Sequence, residues 1–150
     1  MYSFKRTNSD NLDFQELVLE LDKDLAIRNG ETNAFFAQYN KIDLIKHVVI
    51  AYEENQAVGC GAMKEFEGTA MELKRMFVPL NHRGKGIARG VLEELQNWAK
   101  ELGYKKCVLE TGDKMPEAIS LYIKSGFQII PNYGQYTNIK SSICFEKEIH

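Results

Sequence analysis

Cysteine and histidine are scarce in this chain, and neither is spaced as metal ligands are. The 150 residues include three cysteines and three histidines. Cys60, Cys107 and Cys144 are odd in number, share no close spacing and lie in strand-like segments. We therefore expect buried thiols in a reducing compartment rather than a disulfide framework. No HExxH or CxxC sequence occurs, and we expect no metal site.

Long apolar runs and an excess of charge are also missing. The longest strongly apolar run, Val48 to Tyr52, is far too short to span a bilayer. Residues 1–15 are polar and acidic, without the apolar core of a signal peptide. The net charge is −2, so nothing global attracts the chain to nucleic acid or to an anionic membrane. We expect a cytoplasmic protein with neither of these partners.

The residues that are present have the composition of an ordinary globular protein, with 44% apolar and 27% charged residues. The length fits one domain over residues 1–150. Periodicity and turn residues predict the order β-α-α-β-β-β-α-β-α-β-β, a mixed α/β fold around a central sheet. The predicted strands are Tyr2–Thr7, His47–Glu53, Ala57–Phe66, Ala70–Val78, Lys105–Glu110, Phe127–Ile130 and Ser141–Ile149. We expect Gly59 and Gly61 to loosen the third of these strands. The predicted helices are Asn11–Arg28, Ala34–Tyr39, Ile87–Leu102, and one that begins at Pro116 and stops at Gly126.

A glycine-rich loop, Arg83-Gly84-Lys85-Gly86-Ile87-Ala88, lies between a predicted strand and the clearest predicted helix. Its glycines allow close backbone approach, and the helix directs unpaired N–H groups and its positive dipole end at the loop, which suits a pyrophosphate. Arg89 stands where the dinucleotide fingerprint needs a small residue, and the Walker A spacing is absent. Taken alone, the loop is a phosphate-binding turn or simply a tight turn.

Two separated motifs together resemble the GNAT superfamily of acyl-CoA-dependent N-acyltransferases. The loop fits its Q/R-x-x-G-x-G/A motif at Arg83, Gly86 and Ala88. A later segment, 118–127, fits its AxxLYxxxGF pattern at Ala118, Leu121, Tyr122, Gly126 and Phe127. The resemblance implies a mixed, mostly antiparallel sheet of about seven strands flanked by about four helices. It also implies N-acetyltransferase activity.

The resemblance implies that acetyl-CoA (coenzyme A) is the co-substrate and says where it binds. Its pyrophosphate is expected on the loop, and its pantetheine arm along the preceding strand, where a bulge leaves backbone groups unpaired. A backbone N–H near Phe77 and Val78 is expected to hold the oxyanion. Acetyl-CoA and the acceptor amine are expected to bind together in a V-shaped opening between the fourth and fifth strands. The implied cofactor residues are Met76, Phe77, Val78, Arg83, Gly84, Lys85, Gly86, Ile87 and Ala88.

The resemblance also implies the catalytic residues. Tyr122 is similar to the family's general acid, which protonates the leaving thiolate. Glu72, six residues before Val78, resembles the strand glutamate that serves as the base in the histone-acetylating branch. A surface ion pair of Glu72 with Lys74 or Arg75 is an equal alternative, and so is deprotonation through ordered water.

The sequence departs from the family pattern at Met115, where many members have an asparagine that contacts the pantetheine arm; Thr111 is a possible substitute. The loop Tyr133 to Tyr136 either borders the acceptor site or is an aromatic turn on the sheet. The acidic residues of the first helix, from Asp10 to Asp24, would attract a cationic amine if they bordered the acceptor cleft, but we expect them on a solvated face. We expect a small primary amine as acceptor and a possible homodimer. The alternatives are protein lysine or N-terminal acetylation, and a coenzyme A sensor without turnover.

Overall fold

The computed structural model describes residues 1–29 and 44–149, and a seven-stranded sheet runs through them. Its elements follow the predicted order. The strands are β1 (Tyr2–Thr7), β2 (His47–Glu53), β3 (Gln56–Phe66), β4 (Ala70–Phe77), β5 (Lys106–Gly112), β6 (Gln128–Ile130) and β7 (Ser142–Glu148). The described helices are α1 (Leu12–Asn29), α2 (Ile87–Glu101) and α3 (Pro116–Lys124). The predicted helix Ala34–Tyr39 lies outside the described residues.

The sheet has the strand order β1-β2-β3-β4-β5-β7-β6. Neighbouring strands are antiparallel except for β4 and β5, which are parallel and are joined by the crossover through α2. The predicted mixed, mostly antiparallel sheet of a GNAT fold is therefore confirmed.

Alternate residues of the central strands point into two different cores, as the two-residue period of a strand requires. On one face Val49 and Ala51 pack with α2 and with Tyr122 of α3. On the other face Val48 and Ile50 pack with α1. The three described helices thus cover both faces of the sheet.

Glycines in β3 bring α2 close to the sheet, which corrects the expectation that they loosen the strand. A Cβ at Gly61 would lie 2.8 Å from Val91 and 2.9 Å from Leu95, both on the buried stripe of α2. A Cβ at Gly59 would lie 2.8 Å from Ile87. No larger side chain fits without moving the helix, so these glycines fix the position at which α2 begins.

Strands β4 and β5 separate after a short paired stretch. Their register runs from Ala70 opposite Lys106 to Leu73 opposite Leu109 and ends there, although both strands continue. Beyond that point β4 contains a bulge, because its register with β3 shifts between Cys60 and Ala62. Arg75, at the bulge, has a φ of 58°. The result is the predicted opening between the fourth and fifth strands, with an irregular β4 as one wall.

The cysteines are buried and carry free thiols, in β3, β5 and β7. Burial raises the pKa of the Cys60 and Cys107 thiols to about 12. No α-helix within the two described ranges is both long and apolar enough to cross a membrane.

Candidate functional site

The glycine loop ends in the backbone conformation that begins α2. Gly84 and Gly86 have φ angles of 80° and 81°, a region that side chains with a Cβ rarely adopt. Gly86 is the N-cap of α2, and its carbonyl accepts the first helical hydrogen bond from the Gly90 N–H at 3.1 Å. The preceding N–H groups of the first turn, from Ile87 to Arg89, have no partner within the helix. They present an anion-binding surface at the mouth of the loop.

Arg83 holds the loop against the end of β4. Its Nε donates to the Val78 carbonyl oxygen at 2.8 Å, and its guanidinium lies 6.0 Å from the centre of the Phe77 ring. Its Nη2 is 3.9 Å from the Asp24 carboxylate of α1. These contacts make Arg83 a positioning residue for the loop.

A cavity of about 280 Å³ extends from the loop along β4, and we name it the loop cavity. The predicted cofactor residues that line it are Met76, Phe77, Val78, Arg83, Gly84, Gly86, Ile87 and Ala88. Lys85 is exposed and is not among its lining residues. The lining is mostly apolar along β4 and polar at the loop, as a pantetheine arm and a pyrophosphate would require.

A second cavity, of about 110 Å³, lies in the opening between β4 and β5, and we name it the carboxylate cavity after Glu72 and Glu110 in its wall. Leu21 and Leu25 of α1 line its other side. The two cavities are contiguous, since the residues lining both are Leu21, Met76, Met115, Ala118 and Tyr122.

Tyr122 stands where the cavities meet. The side chain is 5% exposed, and its ring packs edge-on against Phe127 and at a tilt against Phe145. Burial, and to a smaller degree the charge of Glu110, raise the pKa of its phenol well above the ordinary value. The phenol is therefore protonated at neutral pH. Its hydroxyl forms no hydrogen bond with any residue that the structure describes, so it is available as a donor.

Glu72 is held in place by two neighbours. The Tyr133 hydroxyl donates to Glu72 Oε2 at 2.7 Å, and Lys74 Nζ lies 3.7 Å from Oε1. Burial and the Glu72 charge raise the pKa of Tyr133, so this phenol remains a donor. The carboxylate thus makes the ion pair with Lys74 that the sequence offered as the alternative, and it also lines the cavity; its role as a base stays a prediction. Tyr133 and the buried Tyr136 likewise pack on the sheet at the edge of the cavity.

Glu110 is a candidate that sequence reasoning missed. It follows Leu109, the last β5 residue paired with β4, and therefore lies where the strands part. Burial, and to a smaller degree the charge of Glu72, raise its pKa to about 7, although a 2.6 Å hydrogen bond from the Ser142 hydroxyl opposes the shift. A carboxyl group with this pKa can accept a proton near neutral pH. The signal in the sequence was an acid that ends the apolar stretch Cys107-Val108-Leu109.

The acidic helix α1 takes part in the site, which the solvated-face expectation did not include. Asp22 Oδ1 lies 3.0 Å from Nη1 of the buried Arg75. Asp24 lines the loop cavity and accepts from Arg28 at 3.2 Å. Arg28 also pairs with Glu117 at the start of α3. These contacts tie α1 to α3 across the mouth of the cavity.

Met115 occupies the position where the family pattern has an asparagine. It is the N-cap of α3, and its Sδ lies 3.2 Å from Nη1 of Arg28. Its side chain lines both cavities, while Thr111 is buried in the wall of the carboxylate cavity. Met115 therefore adds apolar surface where an amide would have offered hydrogen bonds.

Comparison with known proteins agrees with this geometry. Residues 45–129 match the family model described as an acetyltransferase (GNAT) domain. The IAA acetyltransferase of Azospirillum brasilense is 32% identical over 136 residues, which are 89% of each chain.

Solved structures agree as well. A crystal structure from Klebsiella pneumoniae, described as a candidate acyl-CoA N-acyltransferase, superposes with a TM-score of 0.83 and 25% identity over 100% of this chain and 99% of that one. The PaiA N-acetyltransferase of Thermoplasma acidophilum in complex with coenzyme A shares the fold, with a TM-score of 0.73 and 17% identity over 99% of each chain. The chain belongs to the GNAT family of acyl-CoA-dependent N-acetyltransferases.

Proposed function

We propose that this protein transfers an acetyl group from acetyl-CoA to the primary amine of a small molecule, by direct attack while both substrates are bound. The observation that carries the proposal is the position of Tyr122 on the shared wall of two cavities. One cavity has the anion-binding loop at its end, and the other has two carboxylates in its wall. An acyl donor and a cationic acceptor would therefore meet beside the Tyr122 hydroxyl.

Acetyl-CoA supplies an activated acyl thioester, and this chain has the groups to hold it. The α2 N-terminus and the backbone of Gly84 to Ala88 would bind the pyrophosphate, and Met76 to Val78 would flank the pantetheine arm. A backbone N–H near Phe77 and Val78, freed by the bulge, would polarise the thioester carbonyl. Lys85, on the exposed tip of the loop, would add charge at the phosphates.

The carboxylate cavity would bind the acceptor as an ammonium ion and remove its proton. A free amine has a pKa of about 10.4, so most acceptor molecules arrive protonated at neutral pH. Glu72 remains a predicted base, but the contacts favour Glu110 in that role. Lys74 and Tyr133 already occupy the oxygens of Glu72, whereas Ser142 occupies one oxygen of Glu110. The amine nitrogen then bonds to the acyl carbon as the C–S bond breaks, Tyr122 protonates the sulfur, and the surplus proton on the nitrogen returns to the Tyr122 oxygen.

The size of the carboxylate cavity supports a small acceptor over a protein lysine or N-terminus. A volume of about 110 Å³ suits a molecule of a few heavy atoms. The possible homodimer through the C-terminal strands stays a prediction. Sedimentation of the purified protein checks it, and a monomer at micromolar concentration would contradict it.

The decisive experiment measures release of free thiol from acetyl-CoA in the presence of a panel of amines and a lysine peptide. We expect turnover with small amines. Tyr122→Phe is expected to lower kcat about 100-fold with little change in the KM for acetyl-CoA, because the phenol acts on the leaving group only.

Tyr104→Phe is the matched control. The Tyr104 hydroxyl bonds to Glu65 on the surface, so its removal should leave kcat unchanged. Tight coenzyme A binding without thiol release for any amine would instead favour the sensor. Equal kcat values for the Tyr122→Phe variant and the wild type would remove Tyr122 from catalysis.

A further inference from the structure

One side chain of the carboxylate cavity carries a positive charge that the protein only partly compensates. Arg75 lies at the β4 bulge and lines the cavity, and its side chain is 3% exposed. Nη1 pairs with Asp22, whose own side chain is 49% exposed. Nε and Nη2 are shielded from solvent, yet neither has a hydrogen-bond partner among the described residues.

Such an arrangement is costly unless a ligand completes it. Buried N–H groups are nearly always paired, and leaving one unpaired costs more when the group is charged. Arginine does not deprotonate in proteins, so the positive charge stays. Burial lowers the pKa of Arg75 and Asp22 opposes that shift, which shows that the cation is short of negative partners.

The two unpaired atoms define the kind of partner that is missing. Nε–H and Nη2–H lie side by side on one edge of the planar guanidinium and point in the same direction. This edge matches the two oxygens of a carboxylate in a bidentate pair. Arg75 is therefore arranged for one planar anion, held through two parallel hydrogen bonds.

The same cavity also contains groups of opposite charge and an apolar wall. Glu72 and Glu110 line it, and Leu21 and Leu25 of α1 face them. A ligand that satisfies all three features has an ammonium group, a carboxylate group and a modest apolar side chain. The α-amino acids with uncharged side chains are the simplest molecules of this kind.

We propose that the acceptor is an amino acid, and that Arg75 is a specificity-determining residue that binds its carboxylate through Nε and Nη2. This inference rests on the proposed function. Glu110 would receive the ammonium group, with the charge of Glu72 nearby, and Leu21 and Leu25 would contact the side chain. The carboxylate would thus orient the amine toward the thioester.

The first test needs no variant. Thiol release from acetyl-CoA is measured with L-alanine, L-serine and L-valine, which match the small cavity, each beside its amide and its decarboxylated amine. We expect kcat/KM for the amino acid to exceed that of both analogues by about 10- to 100-fold, the range for a hydrogen-bonded charged group. The amide is the stringent comparison, because its amine is a weaker base and is more often neutral.

The second test assigns the preference to Arg75. Arg75→Gln should reduce kcat/KM for the amino acid about 10- to 100-fold through KM, and change the value for the decarboxylated amine less than about threefold. Arg75→Lys keeps the positive charge but lacks the two parallel N–H donors of the guanidinium. It should therefore lose less kcat/KM for the amino acid than Arg75→Gln does. Arg6→Gln is the matched control, since Arg6 pairs with Glu94 and Glu101, away from both cavities.

The outcomes separate this inference from the proposed function. Equal acetylation of amines, amides and amino acids by the wild type would overturn the inference and leave the proposed function standing. Acetylation of none of them would overturn both. If Arg75→Gln does not fold, the wild-type comparison decides, together with thermal stabilisation of the coenzyme A-saturated protein by each amino acid and its decarboxylated amine.

Discussion

The two cavities that meet at Tyr122 differ in the groups that would bind their ligands. The anion-binding end of the loop cavity is formed by backbone, namely two glycines with positive φ and the first turn of α2, next to an irregular β4. The carboxylate cavity has charged side chains in its wall, namely the half-buried Glu72 and Glu110 and the buried Arg75. A site that binds its ligand through backbone N–H groups requires particular residues at fixed spacings in the sequence. A site that binds its ligand through side chains can take its charged residues from any helix or strand. The binding site for the acetyl donor can thus be recognised from a sequence motif, whereas the binding site for the acceptor amine cannot.

Replacing Glu110 tests the carboxylate cavity most severely. Glu110→Gln keeps the shape and an acceptor for the Ser142 hydroxyl but removes the proton-accepting group, so kcat should fall about 100-fold at pH 7. In the wild type kcat should rise with pH as Glu110 loses its proton, near pH 7. The deficit of the variant should narrow at higher pH, because solvent then supplies the neutral amine. A pH-independent deficit would indicate a structural role.

The same substitution should stabilise the fold above pH 7, which distinguishes loss of function from misfolding. Burial raises the pKa of Glu110 to about 7, from a model-peptide value of 4.5. Its favourable contribution is therefore complete below pH 4.5 and is lost as pH rises through about 7. Glu110→Gln should raise the free energy of unfolding at pH 8 by about 1–3 kcal/mol and change it little at pH 4. Thermal melts at the two pH values measure this difference.

Replacing Gly86 tests the loop cavity. Within the described residues nothing lies within 4 Å of a Cβ placed there, so Gly86→Ala adds only the strain of a positive φ. That strain costs about 1–2 kcal/mol and should displace the loop, raising the KM for acetyl-CoA about tenfold with kcat nearly unchanged.

Gly103→Ala is the matched control for the loop. Gly103 follows α2 with a φ of 93° and equally open surroundings among the described residues. The Gly103→Ala variant should lose about as much stability as Gly86→Ala, without any change in the KM for acetyl-CoA. If both variants raised this KM equally, the loop would have no special part in binding the cofactor.

The same difference in construction explains what the sequence could reveal. The order of the elements followed from periodicity and from turn glycines, and the loop followed from spacing alone. Gly61 was misread because its role, close contact with Val91 and Leu95, depends on a helix 30 residues later. Asp22, Glu110 and Arg75 are brought together by the register of β4 with β5 and by the packing of α1. No local sequence pattern indicates that these three residues meet, so their place in the acceptor site emerged only from the fold, whereas Glu72 and the opening between β4 and β5 were predicted.

Replacing Glu72 is the subtlest test, because it asks which carboxylate of the pair takes the proton. If Glu72 is the base, Glu72→Gln should lower activity most at low pH. If Glu110 is the base, removing the neighbouring Glu72 charge lowers the pKa of Glu110, since that charge helps to raise it. The rise of kcat with pH should then move toward lower pH, while the KM for the amine increases about threefold through the loss of an attractive charge. Lys64→Gln, a charge change on the exposed residue that pairs with Glu72 in β3, serves as control and should leave both quantities unchanged. The direction in which the profile moves therefore decides between the two carboxylates.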